Sequence, residues 1–199
     1  MSDLYSDRGN LMGEVEKVNY GPLTELIGVW HGDKGHDVSP EPDGSENSPY
    51  YETITFAAAG DVTNAESQLL TALHYRQIVQ RKSNDEIFHD QTGYWIWDAE
   101  RGTVMHSLTI PRAVSVLAGG TFNGDKNEDG RIVLKVSAGL DDKNWKIIQS
   151  PFMQENASTT KFDQTLIVGK GRLSYSQTMV LDIYGRIFEH TDKNELLRQ

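Results

Sequence analysis

The sequence predicts an all-β fold, a closed antiparallel barrel of about ten strands with a short helical turn before the first. Three observations carry this. Apolar and polar residues alternate with period two along several segments. Short turns rich in Gly, Asn and Asp separate those segments, which favours hairpins over βαβ crossovers. Some strand faces mix aromatic and polar side chains, as Glu52 does with Tyr50 and Phe56, and Gln177 with Tyr175. A dry sandwich core tolerates such faces poorly, whereas a barrel wide enough to hold a ligand accommodates them.

The elements follow in order. Residues 1–19 are polar with scattered apolar positions and read as a flexible N-terminal extension. One barrel domain is expected over residues 20–199. Gly21-Pro22 is a break, and Pro22–Ile27 fits one helical turn that Gly28 stops. A first strand begins near Val29. Three prolines and Gly44 between His36 and Pro49 predict a long exposed loop. Tyr50–Phe56, Arg131–Ala138 and Arg172–Ile183 alternate most regularly. Further strands are expected at Ala72–Gln80, Gly93–Asp98, Val104–Ile110, Ala113–Gly119, Trp145–Ser150, Thr160–Val168 and Arg186–Thr191. Asp125–Gly130 begins like a calcium loop, but its twelfth position is Val136 instead of Glu, so it reads as a polar turn.

Composition excludes several functions. Lys plus Arg is 19 and Asp plus Glu is 29, a net charge of −10. That field repels nucleic-acid phosphates and anionic membrane. The chain has no cysteine, so thiolate catalysis, Cys-type zinc sites, iron–sulfur clusters and covalent haem attachment are out. The polar N-terminus shows no secretory signal, and no apolar stretch is long enough to span a bilayer. The expectation is a soluble cytoplasmic protein. The residues show no nucleophile elbow, P-loop or HExxH motif, and no carboxylate pair that spacing marks as acid and base. Catalytic residues stay unassigned.

The sharpest local signal is Gly28-Val29-Trp30-His31-Gly32, whose large indole and flanking glycines suit the closed base of a barrel. Together with Tyr50–Phe56, His89–Asp98, Ile110–Gly120 and Ile187–Leu196, taken in that order, it resembles the nitrobindin-like family, also described as fatty-acid-binding-protein-like. The resemblance runs from about Gly21 to the C-terminus. It implies a ten-stranded antiparallel barrel of calycin or lipocalin type. It also implies haem b held at the mouth by one histidine on the last strand, and reaction with nitric oxide or isomerisation of peroxynitrite. This sequence departs from the family's Gly-x-Trp-x-Gly-x-Gly: Lys34 takes the next glycine position and Gly35 follows. Thr191, in place of an apolar residue, follows the histidine. A slip of one residue there would exchange the barrel's inside for its outside.

On that resemblance His190 is the axial iron ligand, Phe188 shares its strand face, and His89 lies on the distal side of the pocket. His31, His36 and His74 form no zinc set, and His106 reads as structural. A different reading uses the same barrel as a carrier of a fatty acid or another small apolar ligand. A carrier needs a cation for the carboxylate, and Arg76 and Arg112 are the candidates. A chain with neither ligand would be an interaction module. Monomer and homodimer both remain open.

Overall fold

The computed structural model describes residues 18–199. Most of the expected N-terminal extension, residues 1–17, lies outside them. A 3-10 helix, Gly21–Leu26, precedes eleven strands. These are β1 (Gly28–Glu41), β2 (Gly44–Asn64), β3 (Gln68–Arg81), β4 (Ile87–Asp98), β5 (Thr103–Ile110) and β6 (Val114–Thr121). Then come β7 (Ile132–Gly139), β8 (Ile147–Gln149), β9 (Ala157–Gly169), β10 (Arg172–Ile183) and β11 (Arg186–Arg198). Each of β1 to β6 pairs antiparallel with the next; β6 meets β7, β7 meets β9, and β10 and β11 lead back to β1. Ten strands thus close the barrel, and β8 adds an eleventh along β6. No helix among the described residues is long and apolar enough to cross a membrane.

The 3-10 helix closes one end. Leu23 and Leu26 are fully buried, as is Trp30 at the start of β1. The Trp30 indole N–H donates to the Leu26 carbonyl at 2.7 Å, and the Arg198 guanidinium lies 4.8 Å from the ring centre. An indole so placed has its one polar atom satisfied and the rest of its surface in the core. Leu73, Trp95, Val168, Leu173 and Leu196 complete this dry base.

Residues 36–49 are not a loop. β1 and β2 stay paired from His36↔Pro49 to Glu41↔Gly44 and turn at Pro42-Asp43. The prolines are tolerated for a positional reason. Beyond Val38, β1 has left β11, and before Tyr50, β2 has not yet met β3. An edge strand can spare the donor that proline lacks.

One short helix, α1 (Pro151–Asn156), has no counterpart in the sequence expectation. Its signals were local: Ser150 accepts the Met153 N–H at 3.3 Å, and Pro151 opens the first turn. Together with the turns after β1, β3, β5 and β10, α1 rims the end of the barrel opposite the 3-10 helix.

Emptying the base should be expensive. Trp30→Ala should lower the stability measured by denaturant unfolding by about 3–5 kcal/mol, the cost of a large buried aromatic. A loss below about 1 kcal/mol would mean that the base does not depend on the indole.

Candidate functional site

The inward faces of the strands grade from dry to open. On β11, Leu196 and Asn194 are buried, whereas Asp192, His190 and Phe188 are half-buried. On β10, Leu173, Tyr175 and Met179 are buried, and Leu181 is half-buried. On β4, Trp95 and Gln91 are buried, and His89 is half-buried. Inward side chains that solvent still reaches define a cup that opens at the rim.

A β-bulge in β1 decides what the cup contains. Gly32 pairs with Glu52, but Gly35, not Lys34, pairs with Tyr50. The extra residue reverses the in–out alternation beyond it. Trp30 and Gly32 face inward before the bulge; Gly35 and Asp37 do so after it. Lys34 therefore occupies the bulge, and Gly35 takes the interior place. A Cβ at Gly35 would stand 2.1 Å from the Tyr50 ring, and one at Gly32 would stand 2.6 Å from the Asn194 amide. Both glycines are set by this close approach.

The bulge turns Asp37 into the mouth. There it lies directly across from Asp192 on β11. His190, two residues along the same face, donates from Nε2 to the Asp37 carboxylate at 2.7 Å and lies 3.6 Å from Asp192. The three groups offer ligand atoms within 4.8 Å of one another. Two carboxylates opposite each other repel. Burial raises both; for Asp37 the hydrogen bonds from His190 and Asp192 outweigh it, and this carboxyl sits below its ordinary value. Asp192 is pushed up by burial beside that charge. Burial lowers His190, but the Asp37 hydrogen bond and the two acids hold it above its ordinary value.

The remaining expected site residues divide between inside and outside. His89 faces the cup, hydrogen-bonded to Gln91 Oε1 at 3.3 Å; burial keeps its pKa low, and the Arg112 and His190 charges depress it further. Phe188 shares the inward row of His190. Arg112, in the exposed turn between β5 and β6, acts electrostatically on both histidines and makes no ion pair among the described residues. Arg76 is on the outer face, bound to Asp90 through two hydrogen bonds of 3.0 and 2.7 Å. It cannot meet a ligand inside, because β3 places odd-numbered residues inward there. A cleft of about 440 Å³ on the outer wall is lined by Lys34, Thr165, Ser174, Ser176, Lys193 and Glu195, among others. Its Lys34 and Glu195 pair with each other at 3.2 Å, and it has no part in the cup.

Between cup and base runs a polar belt. Glu52 is fully buried and accepts from Asn194 at 2.8 Å, Gln77 at 2.7 Å and Tyr175 at 3.2 Å. Tyr50 and Tyr175 share a 2.7 Å hydrogen bond. Tyr75 binds Gln91 at 2.6 Å and His106 at 2.7 Å, and burial drives His106 down to about 3, so it stays neutral. The mixed faces noted for Glu52 and Gln177 in the sequence thus point into the barrel, where amide donors satisfy them. Asp37 and Asp192 were not singled out from sequence. Period two from His190 marks Asp192, but the bulge hides Asp37.

Burial raises Glu52 to about 7 from an ordinary 4.5, outweighing its three donors. The folded chain therefore binds this proton more tightly than the unfolded chain, and stability falls as pH rises between those values. Against Glu52→Gln, the wild type should lose on the order of 3 kcal/mol of relative stability across that window. Thermal unfolding of both proteins from pH 4.5 to 8 reads the difference. A difference flat with pH would show that Glu52 ionises normally in the fold.

A family model described as the THAP4-like, heme-binding beta-barrel domain matches residues 19–198. The crystal structure of Rv2717c from M. tuberculosis is similar, with a TM-score of 0.64 and 21% sequence identity. The alignment covers 89% of this chain and 94% of that one. At that identity the likeness is one of fold. No curated protein matches the chain. The match, with the closed ten-stranded barrel beneath it, places this chain in the THAP4-like haem-binding β-barrel family, the nitrobindin-like family.

Proposed function

We propose that this barrel binds haem b non-covalently at its mouth, with His190 as the axial ligand, and handles nitric oxide or peroxynitrite there. The observation that carries the reading is the position of His190. It stands on the inward face of the last strand, at the open end, its side chain 25% exposed. Its Nε2, the ring nitrogen remote from Cβ and so the one able to reach a haem iron, is bonded to Asp37, a bond that ligation would replace. Imidazole is a common axial donor to haem iron.

The surrounding residues fit the group. Phe188, Leu181 and Met179 offer apolar contact on the same wall. Arg112, unpaired among the described residues, is a cation at the rim suited to a haem carboxylate. His89, kept neutral by burial, can hydrogen-bond a small molecule on the distal side. When bound, haem supplies the reaction with nitric oxide and the conversion of peroxynitrite to nitrate. The protein supplies the axial donor, the orientation and a site shielded from water.

A carrier of an apolar carboxylate is the second reading, and the unpaired Arg112 favours it. With Arg76 on the outer wall, Arg112 is the one of the two arginine candidates left at the mouth. Titration with hemin separates the readings. Wild-type protein should take up one equivalent and show the Soret band of a histidine-ligated ferric haem. His190→Ala should lose that band or bind hemin weakly. His89→Ala should keep hemin but react differently with nitric oxide or peroxynitrite. Equally poor uptake by wild type and His190→Ala sinks the haem reading and leaves the carrier; equally good uptake shows that His190 is not the ligand.

A further inference from the structure

We infer that Asp37, His190 and Asp192 form a binding site for a divalent first-row cation, with Zn²⁺ as its reference ion, available when no haem occupies the mouth. The donor set is mixed, one imidazole and two carboxylates, which suits such an ion better than Ca²⁺ or Mg²⁺, whose ligands are all oxygens. The three ligand atoms lie within 4.8 Å of one another. His190 Nε2, the ring nitrogen remote from the backbone, is 2.7 Å from Asp37 Oδ1 and 3.6 Å from Asp192 Oδ2. A cation with metal–donor bonds of about 2.1 Å spaces its donors roughly 3.0–3.5 Å apart, so small side-chain rotations turn these contacts into a chelate. The strands hold the side chains in place. Asp37 and Asp192 are paired directly across β1 and β11, and Asp37 is also paired with Ser48 of β2.

Charge points to the same ion independently. Acids on the outer wall have cations of their own: Asp90 has Arg76, Asp163 has Lys161 and Glu195 has Lys34. The Asp37 and Asp192 side chains are only 6% and 20% exposed, and neither meets a lysine or arginine among the described residues. Two acids shielded from water in this way repel each other, and one histidine offsets at most one of them. Without a cation the conflict falls on Asp192, which burial and the neighbouring Asp37 hold toward its neutral form. A dication removes the conflict: both carboxylates meet it, and Asp192 releases its proton to solvent as it ligates. Arg112 opposes the ion from the rim, but acts on His190 only at a distance. His89, kept neutral by burial, adds no charge. Three protein donors leave a further position to water. The site does not depend on the haem reading, but cation and haem both need His190 Nε2 and so exclude each other.

A plain structural tie between β1 and β11 is the competing explanation, and it predicts no affinity for a cation. The test uses the full chain free of hemin, treated with chelator and then titrated calorimetrically with Zn²⁺ alone. Wild type should bind one equivalent, which His190→Ala loses and Asp192→Asn weakens by about 10-fold or more. His74→Ala, on the outer wall beside Thr92, should leave that binding unchanged and controls for surface histidines. No binding by wild type, or binding that survives both mouth variants, overturns the proposal. If neither variant folds, ring-nitrogen NMR of wild type decides: Zn²⁺ should shift His190 Nε2, and shifts confined to other histidines overturn the site. The cation site and the haem reading fail separately. Wild type that binds Zn²⁺ through His190 but takes up no hemin keeps the cation site and sinks the haem reading; wild type that takes up hemin but no Zn²⁺ does the reverse. Where both bind, saturating Zn²⁺ should lower hemin uptake. Hemin ligation by His190 that ignores bound Zn²⁺ places the cation elsewhere and overturns the proposal.

Discussion

One extra residue in the first strand governs the interior of this barrel. Up to Gly32 the strand alternates in step with its neighbours; after the bulge it is shifted by one. Gly35 then lies under the Tyr50 ring, where no other side chain fits. Tyr50 in that position reaches Tyr175, and Tyr175 reaches Glu52. The same shift brings Asp37 to His190. A regular strand would have put Lys34 against Tyr50 and turned Asp37 toward solvent. The polar belt and the mouth cluster both depend on this local irregularity, as bulges near functional sites commonly re-aim side chains.

The interior is layered by solvation. At the base the 3-10 helix, Trp30 and the surrounding leucines exclude water, so burial of apolar area dominates. The belt above it buries Glu52, Gln91, Gln164 and Asn194, groups that are tolerable there because amides and tyrosines bond them. The mouth is half-wet, and its acids and histidines interact at intermediate dielectric, where charge pairs act strongly without being sealed in. Groups in this intermediate setting are buried enough for their side chains to be fixed and open enough for a ligand to reach them.

The charge at the rim follows the same logic. A chain of net charge −10 gathers two carboxylates at its opening, with Arg112 close to the two histidines. That arrangement repels most anions, and Arg112 makes no ion pair among the described residues. The outer wall, by contrast, satisfies its charges locally, as Arg76 does with Asp90 and Lys34 with Glu195.

The amino-acid pattern by itself determined the strands, the antiparallel order and the closed barrel, because period two and turn chemistry are local properties of the chain. It also placed Trp30 with the glycines and, through family resemblance, singled out His190 and His89. It misread residues 36–49, since three prolines look like a loop until both neighbouring strands are known to end beside them. It passed over α1, whose Ser-Pro start is short beside the strand pattern around it. What only the tertiary structure decided is which groups meet across the barrel. Asp37 and His190 are 153 residues apart in sequence, and their contact depends on the phase of two strands at once. Arg76 went outward and Arg112 to the rim for the same reason. Alternation fixes a side chain's face only relative to its neighbours, and a single bulge resets that phase without changing the composition of the strand.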